Sequence, residues 1–161
     1  MNKDTLKSEI KLKAEKIYKS GIDTFKIKNP VKINFNFSLR GRVAGTAESN
    51  GNINYNLDIA NKNYDIFIND TVPHEVAHVI CFQVYPYAKP HGREWKSIIR
   101  KLGYNDNRCH SMEYIPARQV KKYSIYCTCQ KHDVGAKIYK NISNGSKYTC
   151  TKCKGTLKLN K

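Results

Sequence analysis

The chain has 161 residues, enough for one ordinary hydrophobic core plus a small appendage. Its 29 lysines and arginines against 13 acids give a formal net charge of +16, which favours polyanions, nucleic acid first and an anionic membrane surface second. No apolar run reaches the length of a membrane-spanning helix and the N-terminal stretch lacks the apolar core of a secretory leader, so a cytoplasmic protein with no membrane partner is expected.

Residues 4–20 read as a helix capped by Asp4, with Leu6, Ile10, Ala14 and Ile17 as its apolar stripe and Gly21 at its stop. Residues 31–39 alternate apolar and polar through Val31, Ile33, Phe35, Phe37 and Leu39, the pattern of a half-buried strand. Gly41, Gly45 and Asn50-Gly51 punctuate a hairpin or meander over 42–60, where Ile53, Tyr55, Leu57 and Ile59 alternate again. Residues 61–71 lead into an apolar run from Val72 to Val84. Pro73 leaves two possibilities there: it lies in the first turn of a helix, or it kinks a longer one.

That run contains His74-Glu75-Val76-Ala77-His78, an HExxH pattern. Two histidines four apart lie on one face of a helix, one turn apart, and can share a Zn²⁺. Glu75 can reach water at that metal without binding it, as a general base must. The surrounding residues are apolar on most sides, so the helix is buried. Burying two imidazoles and a carboxylate is costly unless something satisfies them, and a metal does.

A catalytic zinc usually takes three protein ligands. His91, thirteen residues on, is the candidate, with a surface helix cap as its other reading. Glu94 and Cys81 are rivals, although Cys81 also reads as a small buried hydrophobe. Residues 85–90 form a loop. Trp95, Ile98, Ile99 and Leu102 then mark an amphipathic helix ended by Gly103. Residues 104–120 are polar and irregular and are expected to wrap back over the domain. No oxyanion partner stands out among Tyr114, His110 and Arg93.

A second unit is expected to start at Lys121. Cys150-Thr151-Lys152-Cys153 is one metal knuckle. The other is Cys129 with His132, and Cys127 is the rival to His132. Asn144-Gly145 suggests a hairpin turn between strands at 137–139 and 147–149, completing a zinc ribbon. Residues 118–161 carry eleven lysines and arginines against one acid, Asp133. Lys121, Lys122, Lys131, Lys137, Lys140 and Lys147 are the candidate phosphate contacts. Tyr123, Tyr126, Tyr139 and Tyr148 stand among them, to stack on bases or to fill the ribbon's core.

Three motifs in order, Gly41-Arg42-Val43-Ala44-Gly45-Thr46-Ala47, the HExxH segment and Pro90-His91-Gly92-Arg93-Glu94-Trp95-Lys96, followed by the cysteine unit, resemble the SprT-like zinc metalloproteases, which include the eukaryotic Spartan branch. The resemblance implies an α+β zincin-like metalloprotease domain over 1–120 and a small β zinc ribbon over 121–161. It implies one catalytic zinc on His74, His78 and His91, one structural zinc in the ribbon, and Glu75 as catalytic base. It makes Glu94 a supporting residue rather than a ligand. The implied reaction is peptide-bond hydrolysis on proteins near DNA, by analogy with Spartan on proteins crosslinked to DNA. Two other classes fit less well. One is a nucleic-acid-binding module with an idle metal site, against which the intact Glu75 speaks. The other is an amidase or deformylase, which would lack the downstream motif and the ribbon.

Overall fold

A computed structural model of the chain describes residues 2–107, 111–116 and 121–159. His110 and residues 117–120 therefore lie outside the described residues. The chain divides into two compact units, Met1–Ala117 and Arg118–Lys161.

In the first unit, helix α1 (Lys3–Phe25) buries Leu6, Ile10, Ala14 and Ile17. Its cap is Asn2 rather than Asp4: the Asn2 side chain accepts the Asp4 N–H. The helix also runs past Gly21 and ends at left-handed Lys26. Gly21 is buried inside it, where α1 packs on helix α4 (Val72–Val84), and a methyl group there would overlap Cδ1 of Ile80. This glycine permits close approach of two helices and terminates neither.

Strands β1 (Asn34–Asn36), β2 (Gly45–Ala47) and β3 (Asn52–Tyr55) form a sheet in the order β1-β3-β2. β1 is parallel to β3 and β2 antiparallel to it. Burial alternates along the whole of 31–39, but only Asn34–Asn36 pair. Gly51, at φ 91, makes the turn from β2 to β3. The second alternating run stops being strand at Tyr55, because Asn56 caps helix α2 (Leu57–Lys62) by accepting the N–H groups of Asp58 and Ile59. The Asn56 amide also donates to the carbonyls of Gly41 and Val43, both at 3.0 Å. Asn56 is fully buried and holds in place the chain that enters β2.

Helix α3 (Tyr64–Ile66) continues into a wide π-helical turn, Phe67–Thr71, and then into α4. The Val72 N–H reaches back five residues to the Phe67 carbonyl. Both possibilities for Pro73 meet here. It stands in the first turn of α4, where its missing N–H costs least, and the path before it is widened. The buried Tyr55 hydroxyl donates to the Val72 carbonyl at 3.2 Å and ties the sheet to the start of α4.

Helix α5 (Arg93–Lys101) buries Trp95, Ile98 and Ile99 and is followed by Gly103 at φ 82. Beyond it the described residues of this unit form no regular element, yet Met112 enters the core. The Asn63 side chain holds that segment by bonding both the N–H and the C=O of Glu113.

In the second unit, β4 (Lys122–Tyr126) pairs antiparallel with β5 (Lys131–Gly135). The expected strand at 137–139 is instead part of helix α6 (Ala136–Ser143). Asn144-Gly145 closes that helix: Gly145 N–H bonds the Ile142 carbonyl, Ser146 N–H bonds the Asn141 carbonyl, and Gly145 has φ 89. A hairpin turn and a helix stop both need positive φ, so this dipeptide could not tell them apart. The second cysteine pair lies between bridged Thr149 and Thr156. The fold is α+β, a zincin-like unit with an HExxH helix followed by a small C-terminal ribbon around a cysteine cluster. Among the described residues no helix is long and apolar enough to cross a membrane.

The Gly21 contact sets two effects against each other. Gly21→Ala gains about 1 kcal/mol of helix propensity and costs about 1–3 kcal/mol by overpacking against Ile80. A net fall in the denaturant midpoint is expected, with partial recovery when Ile80→Val removes the opposing methyl. A Gly21→Ala variant about 1 kcal/mol more stable than the parent would show that the helices do not need the close approach.

Candidate metal centres and active-site cleft

His74 and His78 project from α4, one turn apart, and His91 comes back to them from the loop before α5. Their Nε2 atoms form a triangle with sides of 2.9, 3.0 and 3.3 Å. Hydrogen bonding cannot satisfy this triangle. Each Nε2 is either protonated or a lone pair, so at least one of the three sides must join two of the same kind. A cation within reach of all three satisfies every lone pair at once, and tetrahedral zinc would space its nitrogens at about 3.3 Å. Burial first, then His74 and His91, pushes the His78 imidazole down to about 3 and keeps it neutral, the form that binds metal.

The His91 geometry follows from its neighbours. Gly92 N–H bonds the Lys89 carbonyl at 2.9 Å, closing a four-residue turn with Pro90 second and His91 third. His91 has φ 56, the positive value that the third position of a type II turn requires. Proline favours the second position, and histidine is among the residues that tolerate positive φ. A Cβ at Gly92 would come within 2.9 Å of the Lys89 carbonyl. Trp95 lies beneath all three ligand candidates, its ring centroid 4.6 Å from His74, 5.2 Å from His78 and 4.8 Å from His91. Among the described residues neither Glu94 nor Cys81 joins the donor group. Burial, then Glu94, pushes the Cys81 thiol up to about 11, and it packs as a small hydrophobe.

Glu75 is buried, and burial pushes its carboxyl up to about 8. It lies against Gly45 of β2, where an added Cβ would come within 2.7 Å of its Cγ and Oε1. Among the described residues β2 is an edge strand. Ala44 accepts from Asn56 N–H and Glu48 donates to Asn52, both at 2.9 Å. In an antiparallel ladder that alternation turns the backbone groups of Gly45 and Ala47 away from β3, toward the open side. A cavity of about 610 Å³ runs between this edge and α4 and takes in the three histidines, Glu75 and Ser111. Arg93 and Tyr114 do not line it, so neither is placed to assist an oxyanion.

In the second unit, Cys127, Cys129, Cys150 and Cys153 bring their sulfurs within 4.8 Å of one another. Cys127 and Cys129 are 3.3 Å apart, and Cys129 and Cys150 are 3.8 Å apart. Four thiolates around zinc would be separated by about 3.8 Å. The candidate donor group thus takes in Cys127, the rival in the sequence, as its fourth sulfur. The turn after β4, closed by Cys127 N–H to the Gln130 carbonyl, converges the sulfurs on either side of Thr128 despite the single-residue spacing. His132 stands beside the group with Nε2 3.2 Å from the Cys127 sulfur. Desolvation raises the Cys127 thiol, but hydrogen bonds, led by the one from His132, outweigh it and bring the thiol down to about 5.

The six candidate phosphate-contacting lysines are all exposed. Tyr123 and Tyr139 stack on each other at 4.6 Å, with Lys121 over Tyr123, and Tyr148 accepts a bond from Asn141. The residues that sequence reasoning passed over are Asn56 and Gly45. Asn56 had only the signal of its residue type, a favoured helix cap, and it sat in step with Asn52, Asn54 and Asp58 in the alternating run. The contact of Gly45 with Glu75 joins residues thirty positions apart and had none.

The SprT-like family profile matches residues 9–114. Protein SprT of Pseudomonas paraeruginosa is 33% identical over 151 residues, 90% of each chain. Protein SprT of Shewanella oneidensis is 35% identical over 126 residues, 76% of this chain and 80% of that one. Protein SprT of Vibrio atlanticus is 39% identical over 124 residues, 75% of this chain and 74% of that one. No solved structure matches significantly. With a histidine triangle, a buried glutamate behind it and a match over most of its length, the chain belongs to the SprT-like family.

Proposed function

We propose that this chain is a zinc-dependent endopeptidase that cleaves proteins held at or near DNA, including proteins crosslinked to it. The observation that carries the reading is the buried Glu75 beside the histidine triangle and beneath a free strand edge. His74, His78 and His91 would hold the ion. Zinc bound there would polarise a scissile carbonyl and lower the pKa of water. Glu75 takes the proton of the attacking water and hands it to the leaving amine, and a carboxyl pushed toward neutral pH suits that task. The free backbone groups of Gly45 and Ala47 hold an extended peptide as an added strand.

The second zinc is structural, held by Cys127, Cys129, Cys150 and Cys153, with His132 donating to the Cys127 sulfur. Among the described residues of this unit only Ile125 and Cys150 are buried apolar groups, so its stability rests on the metal. Its exposed lysines supply the contact with DNA phosphates, and reduced cysteines suit a cytoplasmic protein.

Glu75→Gln is expected to keep both metals and to cut cleavage of a basic DNA-binding protein by about 10²–10⁴-fold. Run with single-stranded DNA, with duplex DNA and with none, the same assay is expected to give cleavage only when DNA is present. Cleavage indifferent to DNA would leave the protease and remove the DNA role. Zinc and DNA retained without cleavage in any condition would leave a binding module. In cobalt-substituted protein, His132→Ala is expected to preserve the four-thiolate charge-transfer intensity and Cys127→Ala to diminish it. The reverse pattern would return His132 to the ligand set.

A further inference from the structure

The wall of the cleft facing β2 is one helical face. Ile66, Asp70 and His74 follow at intervals of four residues, and all three line the cavity, with Val43 opposite on the strand side. Ile66 and Val43 are 48% and 49% exposed, two apolar side chains facing an open groove. Asp70 is exposed, and among the described residues no cation pairs with it. The described lining contains no lysine or arginine, and its acids are Asp70 and Glu75, in a chain of net charge +16. Asp70 thus offers a local negative charge to a side chain entering this part of the groove.

Ile66, Asp70 and His74 line one wall of the cleft. An extended peptide added along the β2 edge places alternate side chains, about 6.6 Å apart, on one face, and that face would meet His74, then Asp70, then Ile66. We infer that Asp70 and the Ile66–Val43 pair read the substrate's sequence: Asp70 takes a lysine or arginine side chain beside the scissile bond, and the pair takes an apolar side chain two residues farther out. This rests on the endopeptidase reading and gives it a substrate class, basic extended segments with an apolar residue at fixed spacing.

The test scans a single lysine through an otherwise neutral peptide and maps the products by mass spectrometry. Wild-type enzyme is expected to cut at one fixed offset from the lysine, about fivefold better than the glutamine peptide, as a half-exposed ion pair allows. Asp70→Asn is expected to abolish that offset, Asp70→Lys to transfer it to a glutamate peptide, and Ile66→Ser to remove the preference for leucine two residues out. An offset unchanged in both Asp70 variants, or cleavage with no offset at all, overturns the inference and leaves the endopeptidase standing. Binding of the same peptides to the zinc-loaded Glu75→Gln protein, with and without Asp70→Asn, needs no turnover. A lysine preference there that vanishes with Asp70, together with a wild-type protein that cuts none of the peptides, supports the subsite and removes the endopeptidase reading.

Discussion

Three imidazole nitrogens within 3.3 Å of one another, and a carboxylate buried behind them, form a group that a protein interior cannot satisfy by itself. Each neutral histidine can donate or accept at Nε2 but not both, so a triangle of them always contains a mismatched side. The rest of the first unit serves to hold this unfavourable arrangement in place. Tyr55 ties the sheet to the start of α4, Gly21 lets α1 lie close against its back, and the Lys89–Gly92 turn brings His91 in at a backbone angle few residues accept. A metal ion turns the unfavourable triangle into a favourable one, and the same preorganisation then favours binding.

Trp95 has a particular part in that support. Its ring touches all three imidazoles, while its Nε1 is buried without a hydrogen-bond partner among the described residues. An unmatched donor costs about 1–3 kcal/mol. A phenylalanine would avoid the cost but offer a smaller face. The chain therefore uses tryptophan for the area of its ring, which fixes three side chains against one rigid surface. On the other side of α4, Gly45 provides room where Trp95 provides bulk: the absent Cβ lets the β2 edge lie directly on Glu75. The proposed base, the candidate metal ligands and the proposed peptide-binding edge are set by these two close contacts.

Much of this was legible in the sequence where the signal was local. HExxH on an apolar run pointed to the helix and to the two histidines that His91 joins in a candidate metal group, and Trp95, Ile98, Ile99 and Leu102 pointed to α5. The misreadings share one cause. Gly21, Asn144-Gly145 and the alternating Leu57 and Ile59 each carry a local signal with two structural solutions, and distant contacts or a neighbouring cap decide between them. Gly21 looked like a helix stop, but its reason is Ile80, fifty-nine residues away. Leu57 and Ile59 looked like strand until the Asn56 side chain offered its oxygen to two N–H groups and started a helix instead. At the cysteine cluster, spacing favoured His132 because a single residue between ligands is unusual, and the sulfurs of Cys127 and Cys129 nevertheless converge. The tight turn after β4 brings the two sulfurs together without the usual two-residue spacer.

On the proposed ligand sets the chain depends on zinc twice, for different physical reasons. The second unit buries too little apolar surface to offset the entropy of ordering its backbone, so there the ion stabilises the fold. The first unit has a full core of its own, and the ion there supplies chemistry. Four thiolates make a closed, soft donor set, whereas three neutral imidazoles leave a position open. The closed site therefore holds its ion more tightly than the open one. On the proposed function, falling zinc would silence the cleft while the basic unit is still folded, and the two events would come in that order because one site must leave room for a substrate and the other need not.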